Sequence, residues 1–434
     1  MTLLFKPCSR QIKHFLPGMI LTVMLILPLK AFASQTAVVG TIDPAWTSAA
    51  LSIISVEKVD GKRSANNLVN SILNTDFILV AYGDYFYRIE RMDFNSITKY
   101  DVKNPETMIY QYSCQGEDIA AANPHDLIFL SEQKAYLLRY GSTKAWIVNP
   151  SATTQAEFKT GEIDFSAYAD NDGVPEMHKG TIVDGKLFVN IQRIDFSGGW
   201  GNYVYNTSYI AVIDTDTDTE IDTGKGEGGM KGIPSTIKNT GEIQYLPENN
   251  MIYIQGSGTD GDLAGGIVSL NPDTYEVTKL VDDDTAGDGT ALYGGRIFGM
   301  AIVSAAKSYF VSYHAWGDCT VYEFNPSTGS VTGEVTGLQN LDISGMSNGI
   351  YADENDMLWV NSGTAGGLDE PSIIIYDPSS NTIDEVIETQ FNPGDIVFCG
   401  TISTATEEDD DDGSNSDRLC FIQTAGFSFF KTLF

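Results

Sequence analysis

The chain has 434 residues, and its 58 Asp and Glu residues against 26 Lys and Arg residues give a net charge of −32. A surface this acidic repels phosphate groups, which argues against nucleic acid and anionic lipid headgroups as partners. Five cysteines in a chain of this length do not form a disulfide framework.

The N-terminus has the pattern of an export signal. Lys6, Arg10 and Lys13 precede an apolar run over residues 15–29, and Ala31-Phe32-Ala33 follows as a cleavage motif. The run is shorter than the roughly 20 residues that a membrane-spanning helix needs. The sequence predicts a signal peptide over residues 1–33, an exported mature protein without a membrane span, and an extracellular, cell-surface or periplasmic location.

A turn motif recurs along the mature chain. An apolar run is followed by Asn or Asp, then by Pro, Thr, Ser or Gly, then by a second β-branched run, as in residues 372–385. These residues form tight turns between antiparallel strands. The six marker residues lie 48 to 65 positions apart, at Asp101, Asn149, Asp214, Asn271, Asn325 and Asp377. Spacing near fifty residues with four strands per unit is typical of propeller blades.

The strand pattern indicates how the ring closes. A last innermost strand over residues 393–399 has no turn motif after it, whereas residues 36–58 supply strands without an innermost partner. Pairing the two ends would remove exposed sheet edges. We therefore predict an all-β, seven-bladed β-propeller over residues 34–403, with four antiparallel strands per blade and the last blade completed by N-terminal strands.

The chain changes character after the propeller. Residues 404–418 contain an acidic run that predicts a disordered linker, and residues 419–434 form an apolar tail. Cys114 and Cys399 fall in the first and last predicted blades. A bridge between them and buried reduced thiols are both open, and the thiols are favoured.

Two segments carry a family resemblance. The stretch NPHDLIFLSEQKAYLLRYGSTKAWIVNPSA at residues 123–152 resembles the YVTN-type β-propeller repeats of secreted and surface-associated bacterial proteins. The resemblance implies a seven-bladed propeller used mostly for interactions. CFIQTAGF at residues 420–427 resembles the CFI-box sorting tail of exported proteins, with Gln423 and Gly426-Phe427 as departures.

The propeller axis is the default ligand site, because the starts of the innermost strands converge there. Six polar residues at these starts are candidates for one mouth of the channel: His125, Asp126, Glu176, Glu242, Asn348 and Asp395. Crowded carboxylates favour a bound cation, so Ca²⁺ or a cationic ligand is one interpretation. The alternative is that Asp126 and Asp395 bond to neighbouring backbone.

A second acidic group lies at residues 170–176. Asp170, Asp172 and Glu176 alternate hard oxygen ligands around Gly173, as calcium loops do, although the spacing is not that of an EF-hand. An Asx-rich turn without a metal is the alternative interpretation.

We expect a non-catalytic binding protein that recognises a protein, glycan or small ligand. Trp200, Tyr203 and Tyr205 lie in a Gly-rich, aromatic loop that is expected to project from one face and form the contact surface. Two alternatives stay open: a propeller lyase, hydrolase or dehydrogenase that uses the axial residues, and a structural component of a surface layer.

Overall fold

A computed structural model describes residues 35–119, 121–259, 262–284, 287–343, 347–365 and 370–400. The chain divides into two units, Met1–Ala33 and Ser34–Phe434, and every described residue belongs to the second. The predicted signal peptide, acidic linker and apolar tail lie outside the described residues. Within the described part, no helix is both long and apolar enough to span a membrane.

The described chain forms seven antiparallel sheets arranged as blades, each built on four strands paired in order, and one separate two-stranded sheet. Blade 1 contains β4 (Phe77–Tyr82), β5 (Tyr85–Glu90), β6 (Ser96–Asp101) and β7 (Met108–Ser113). Blade 2 contains β8 (Pro124–Phe129), β9 (Ala135–Arg139), β10 (Lys144–Val148) and β11 (Lys159–Asp164). A short helix, α1 (Gln155–Phe158), precedes β11.

Blade 3 is the irregular one. Its main strands are β12 (Met177–Val183), β13 (Lys186–Ile191), β16 (Tyr209–Asp214) and β17 (Thr219–Glu220), and β18 (Ile233–Pro234) also pairs with β16. The connection between β13 and β16 contains a separate hairpin of β14 (Ile194–Asp195) and β15 (Val204–Tyr205). The loop that was expected to project from one face therefore contains a two-stranded sheet of its own.

Blades 4, 5 and 6 follow the regular pattern. Blade 4 contains β19 (Thr240–Leu246), β20 (Met251–Gly256), β21 (Gly266–Leu270) and β22 (Val277–Asp282). Blade 5 contains β23 (Arg296–Ile302), β24 (Ser308–Ala315), β25 (Asp318–Phe324) and β26 (Val331–Glu334). Blade 6 contains β27 (Ile350–Ala352), β28 (Leu358–Ser362), β29 (Ser372–Asp377) and β30 (Thr382–Glu388).

Blade 7 joins the two ends of the propeller, as predicted. Its innermost strand is β31 (Asn392–Cys399), followed outward by β1 (Thr36–Ile42), β2 (Ala49–Ser55) and β3 (Ala65–Ile72). The register between β1 and β31 pairs Thr36 with Cys399 and Val38 with Val397. The predicted all-β, seven-bladed propeller is therefore confirmed.

The six marker residues act as the turn chemistry predicts. In each turn, the side-chain Oδ1 of the Asn or Asp accepts a hydrogen bond from the backbone N–H two residues later, at 2.7 to 3.0 Å. This Asx turn replaces a backbone turn and leads the third strand of a blade into the fourth.

The core lies between neighbouring blades. One cluster joins β4–β6 of blade 1 to β8–β10 of blade 2, and another joins blade 6 to blade 7 around the fully buried Trp359. Each sheet buries both faces against its neighbours, which no single blade could do alone. Cys114, Cys319 and Cys399 are buried free thiols, so no bridge joins Cys114 to Cys399.

Candidate binding face and axial cluster

The direction of the strands gives the propeller two different faces. Because successive strands alternate, the connections between second and third strands share one face with the connections between blades. We call this the connection face. The opposite face, which we call the turn face, carries the Asx turns.

Exposed apolar side chains concentrate on the connection face. Of the large hydrophobic side chains that are exposed in the described chain, nine belong to its connections: Trp46, Leu73, Met92, Phe94, Phe196, Trp200, Val204, Leu292 and Trp316. Five others lie on outermost strands, and Val59 alone lies on the turn face. An apolar surface concentrated in this way marks an interaction site more often than scattered single residues do.

The hairpin of β14 and β15 carries three aromatic rings of this face. Trp200 is 93% exposed at its tip. The ring of Tyr203 contacts those of Phe196 and Trp200 edge to face, at 4.8 and 6.2 Å between centroids. These contacts hold an exposed aromatic group in a defined arrangement rather than leaving single rings in solvent.

A groove of about 320 Å³ runs beside the hairpin. Its lining includes Tyr203 and Tyr205 of the hairpin together with Lys238, Thr259 and Asp262. Of the predicted contact residues, Trp200 therefore lies at the tip, whereas the two tyrosines line the groove and are only partly exposed.

A second apolar group lies across blades 5 and 7. Trp316, which is 62% exposed, and Trp46, which is 39% exposed, line one small cavity together with Ile42 and Pro393. The two tryptophans come from connections some 270 positions apart in the sequence. No local sequence pattern indicates that these two tryptophans line the same cavity.

The starts of the innermost strands bring charged residues to the axis. Lys179, in β12, lies 2.5 Å from Glu242 Oε1 of blade 4. Burial opposes a charge at this position, but the carboxylates of Glu242, Asp395 and Asp126 raise the pKa of Lys179 above its ordinary value. The chain itself therefore supplies a cation to the crowded axial carboxylates.

Three of the predicted axial residues bond to the backbone of a neighbouring blade. Asp126 Oδ2 accepts from Gly180 N at 3.0 Å, and Asp395 Oδ2 accepts from Leu79 N at 3.2 Å. Asn348 Oδ1 accepts from Met300 N at 2.7 Å. The first two bonds link innermost strands, and the third links the segment before β27 to β23, so all three side chains hold neighbouring blades together. Burial raises the pKa of Asp126 to about 6 against the opposing effect of Lys179.

The fourth of these residues, His125, forms an aromatic group at the same mouth. Its Nδ1 lies 2.8 Å from Nδ1 of His178, and its ring stacks on Tyr140 at 4.1 Å. Burial and the positive charge of Arg91 lower the pKa of His125 well below its usual value, and burial together with Lys179 lowers that of His178 to about 3. Both imidazoles are therefore neutral at neutral pH, and the Nδ1–H of one donates a hydrogen bond to Nδ1 of the other.

Glu176 lies apart from the Lys179 cluster and is the last residue of the connection that precedes β12. It is wholly buried, and its Oε2 accepts from Ile194 N at 2.9 Å. Burial, with the charges of Asp172 and Asp170, raises its pKa to about 9. Asp170, Asp172 and Asp195 bring carboxylate oxygens within 4.8 Å of one another near this position.

Sequence reasoning missed several residues at these two places, among them Lys179, His178, Tyr140, Tyr351 and Asp195. Tyr351 donates to Asp395 Oδ1 at 3.0 Å. The sequence does place Lys179 next to His178 in a predicted innermost strand, so a positive charge near the axis could have been predicted. Asp195 had no local signal, because it reaches Asp170 and Asp172 only through the fold of the β14–β15 hairpin.

Comparisons with known proteins identify the fold alone. No family model matches the chain, and no curated protein matches it. The YVTN and CFI-box resemblances therefore have no family match behind them.

Solved structures with the same fold have little sequence in common with the chain. One is a Bacteroides fragilis protein named for 6-phosphogluconolactonase activity, with 13% identity, a TM-score of 0.56, and coverage of 86% of this chain and 99% of that chain. A Lactobacillus plantarum protein has 13% identity, a TM-score of 0.57, and coverage of 84% and 99%. A hypothetical selenium-binding protein from Sulfolobus tokodaii has 11% identity, a TM-score of 0.58, and coverage of 85% and 94%. At such identities the likeness carries the propeller fold and no activity.

Proposed function

We propose that the chain is an exported, non-catalytic propeller that binds a protein partner through its connection face. The observation that carries this proposal is the one-sided distribution of exposed apolar side chains. Trp200 and Trp316 dominate that face by exposed ring area, and a solvated monomer gains nothing from exposing them. Tryptophan is also enriched among the residues that contribute most to protein interfaces.

The charge of the chain indicates the chemistry of the partner. The chain as a whole carries a net charge of −32. A partner with an apolar patch bordered by Lys and Arg would match both properties and would be attracted at long range. A neutral glycan would use the tryptophan rings but not the charge, so we place it second.

Export supports the same assignment. Cations followed by an apolar run and a small-residue cleavage motif at residues 1–33 favour secretion, with the mature protein outside the cell, at its surface or in the periplasm.

The test is site-specific photo-crosslinking from the two faces. A photoreactive phenylalanine analogue replaces Trp200 or Trp316 on the connection face and Val59 on the turn face, and the protein is irradiated with the envelope fraction of the producing cells. We expect adducts to one protein from positions 200 and 316 only. Equal labelling from Val59, or no protein adduct from any position, would contradict the proposal. Adducts between copies of the chain would favour a surface-layer component instead.

The contact between His125 and His178 favours a second candidate, a small-molecule enzyme at the axial mouth. The two neutral imidazoles and the hydroxyl of Tyr140 place hydrogen-bond donors and acceptors together at this mouth, where they could orient a small substrate. Turnover of a lactone, lyase or dehydrogenase substrate, lost in His178→Gln while the melting temperature is kept, would support this candidate.

A further inference from the structure

The groove beside the β14–β15 hairpin is large enough to hold a small ligand. Its volume of about 320 Å³ lies within the range that is usual for such sites. Tyr203 and Tyr205 of the hairpin line it together with Lys238, Thr259 and Asp262. We propose that this groove binds an acidic sugar, whose carboxylate pairs with the ammonium of Lys238. The proposal does not rest on a protein binding to the connection face.

The ammonium of Lys238 has no partner in the described part of the chain. Most described Lys and Arg side chains form an ion pair with a carboxylate, as expected where acidic residues outnumber basic ones. Lys238 is partly buried, yet its Nζ makes neither an ion pair nor a hydrogen bond with any described residue. A partly desolvated charge without a partner costs free energy. A carboxylate bound in the groove would supply that partner through a charge-assisted hydrogen bond.

The backbone of Lys238 is held in place at the groove. Its N–H donates to the carbonyl of Ala264 at 2.9 Å, and its carbonyl accepts from Gly258 N at 3.1 Å. Both partners lie in the connection between β20 and β21. The side chain therefore extends from a fixed point of the backbone, so less conformational freedom is lost when it binds a ligand.

The two tyrosines add aromatic surface to the groove. The ring of Tyr203 is itself held by edge-to-face contacts with Phe196 and Trp200. The face of an aromatic ring is weakly negative and attracts the weakly positive edges of C–H groups. One side of a pyranose ring presents such C–H groups, so a sugar ring would pack on this surface.

The mixture of charges in the groove selects the class of ligand. Lys238 and Asp262 form no ion pair or hydrogen bond with each other, so each is able to contact a ligand. Asp262 opposes a ligand that is only an anion, and Lys238 opposes a cation. The carboxylate of Asp262 and the hydroxyl oxygen of Thr259 are acceptors for sugar hydroxyls. A neutral sugar would leave Lys238 without a partner, whereas a sugar with a carboxylate uses all of these groups.

The experiment is calorimetric titration of the full chain with a trimer of galacturonic acid and with the methyl ester of the same trimer. The two ligands share their rings and linkages and differ in charge. Salt at about 150 mM screens the general repulsion between the acid and the acidic chain. We expect the acid to bind at least tenfold more tightly than the ester, because only the acid forms a charged hydrogen bond with Lys238.

Two variants of Lys238 test whether its charge is responsible. Lys238→Gln loses the charge and keeps the backbone bonds to Gly258 and Ala264. We expect this variant to melt at the native temperature and to bind the acid as weakly as the native chain binds the ester. Lys238→Arg keeps the charge and should retain most of the affinity for the acid.

The matched control is Lys62→Gln on the turn face. Lys62 lies in the connection between β2 and β3, and its ammonium also has no ion pair or hydrogen bond among the described residues. This variant should bind the acid as the native chain does. Absence of both binding heat and a melting shift at millimolar acid, equal affinity for acid and ester, or native affinity in Lys238→Gln would each overturn the proposal. Tighter binding of a free amino acid than of the acid trimer would assign the groove to zwitterions and overturn it as well.

Discussion

At the scale of single residues, the neighbours of each acidic side chain determine its role. Asp126 and Asp395 accept backbone N–H groups across blade boundaries, whereas Glu242 contacts an ammonium. Glu176 and Asp283 are buried, and each has one carboxylate oxygen without a partner among the described residues. These last two carboxyl groups cost stability when ionised, because nothing replaces the water they lose.

Asp283 gives a pH-dependent prediction. Its Oδ2 accepts from Gly265 N, and burial raises its pKa from 3.8 to about 6, with Asp282 adding to the effect and Lys279 opposing it. A raised carboxyl pKa means that the folded state holds the proton more tightly than the unfolded state does, so stability falls as pH rises from about 4 to 6.

The variant Asp283→Asn keeps the bond from Gly265 and cannot ionise. We expect its melting temperature to exceed that of the native chain above pH 6 by an amount worth up to about 3 kcal/mol, and to match it near pH 4. Melting curves across this range check the prediction. A constant difference at every pH would show that Asp283 does not titrate in this window.

The residues of the axial mouth could be predicted from the sequence, but their partners could not. Strand periodicity places His125, Asp126 and Asp395 at the starts of innermost strands. It does not indicate that Lys179 meets Glu242, 63 positions away, because that contact depends on the rotation between blades 3 and 4. The acidic residues therefore predicted a cation at the axis but not that the chain would supply it.

At the scale of elements, the Asx turn is the repeated unit. The chain uses Asn at three of the six positions and Asp at the other three, since either side chain accepts the backbone N–H two residues later. The turn therefore needs the acceptor oxygen and not the charge.

Substitutions of Asn325 test whether the turn needs only the acceptor oxygen. Its Oδ1 accepts from Ser327 N at 2.9 Å and from Thr328 N at 3.1 Å. We expect Asn325→Ala to lower the free energy of unfolding by about 1 kcal/mol, as loss of exposed turn hydrogen bonds does, and Asn325→Asp to change it little. Denaturant unfolding measures both. Equal destabilisation by the two variants would mean that the amide group makes a further contact.

An insertion at the position of the β14–β15 hairpin could be predicted from the sequence, because its Gly and aromatic composition interrupts the repeat. The contacts that attach this hairpin to the rest of blade 3 could not be predicted. The bond from Phe196 N to Asp172 joins residues 24 positions apart in two connections of blade 3, which the sequence alone gives no means of aligning.

At the scale of the molecule, one strand pairing closes the ring. β1 and β31 come from opposite ends of the propeller, and Thr36 faces the native Cys399 in the register between them. Directly opposed residues in an antiparallel pair have Cα atoms about 4.5 to 5.5 Å apart, which is compatible with a disulfide.

The variant Thr36→Cys should therefore form a bridge to Cys399 without a second substitution. We expect oxidised protein to melt at a higher temperature and reductant to reverse the gain, since the bridge restrains the unfolded chain. Thr36→Ser is the control and should show no dependence on reductant. If oxidised Thr36→Cys contained only free thiols by mass spectrometry, the register between β1 and β31 would be in doubt.

The difference between the two faces also depends on the arrangement of the whole propeller. Trp46 and Trp316 line one cavity, although they lie in connections of blades 7 and 5. The repeat count and ring closure follow from local turn chemistry and strand periodicity. The grouping of apolar residues on one face depends on how seven blades are arranged, and sequence patterns do not encode that arrangement locally.

The central proposal is that the connection face binds a protein. The most direct test is to measure how tightly the partner captured by cross-linking binds two matched variants of the chain. Trp200→Ala removes the most exposed aromatic ring of this face, and Val59→Ala removes an exposed apolar side chain from the turn face. We predict at least tenfold weaker binding for Trp200→Ala, about 1.4 kcal/mol, binding within twofold of native for Val59→Ala, and native melting temperatures for both. Native affinity in Trp200→Ala, or equal losses in both variants, would contradict the account.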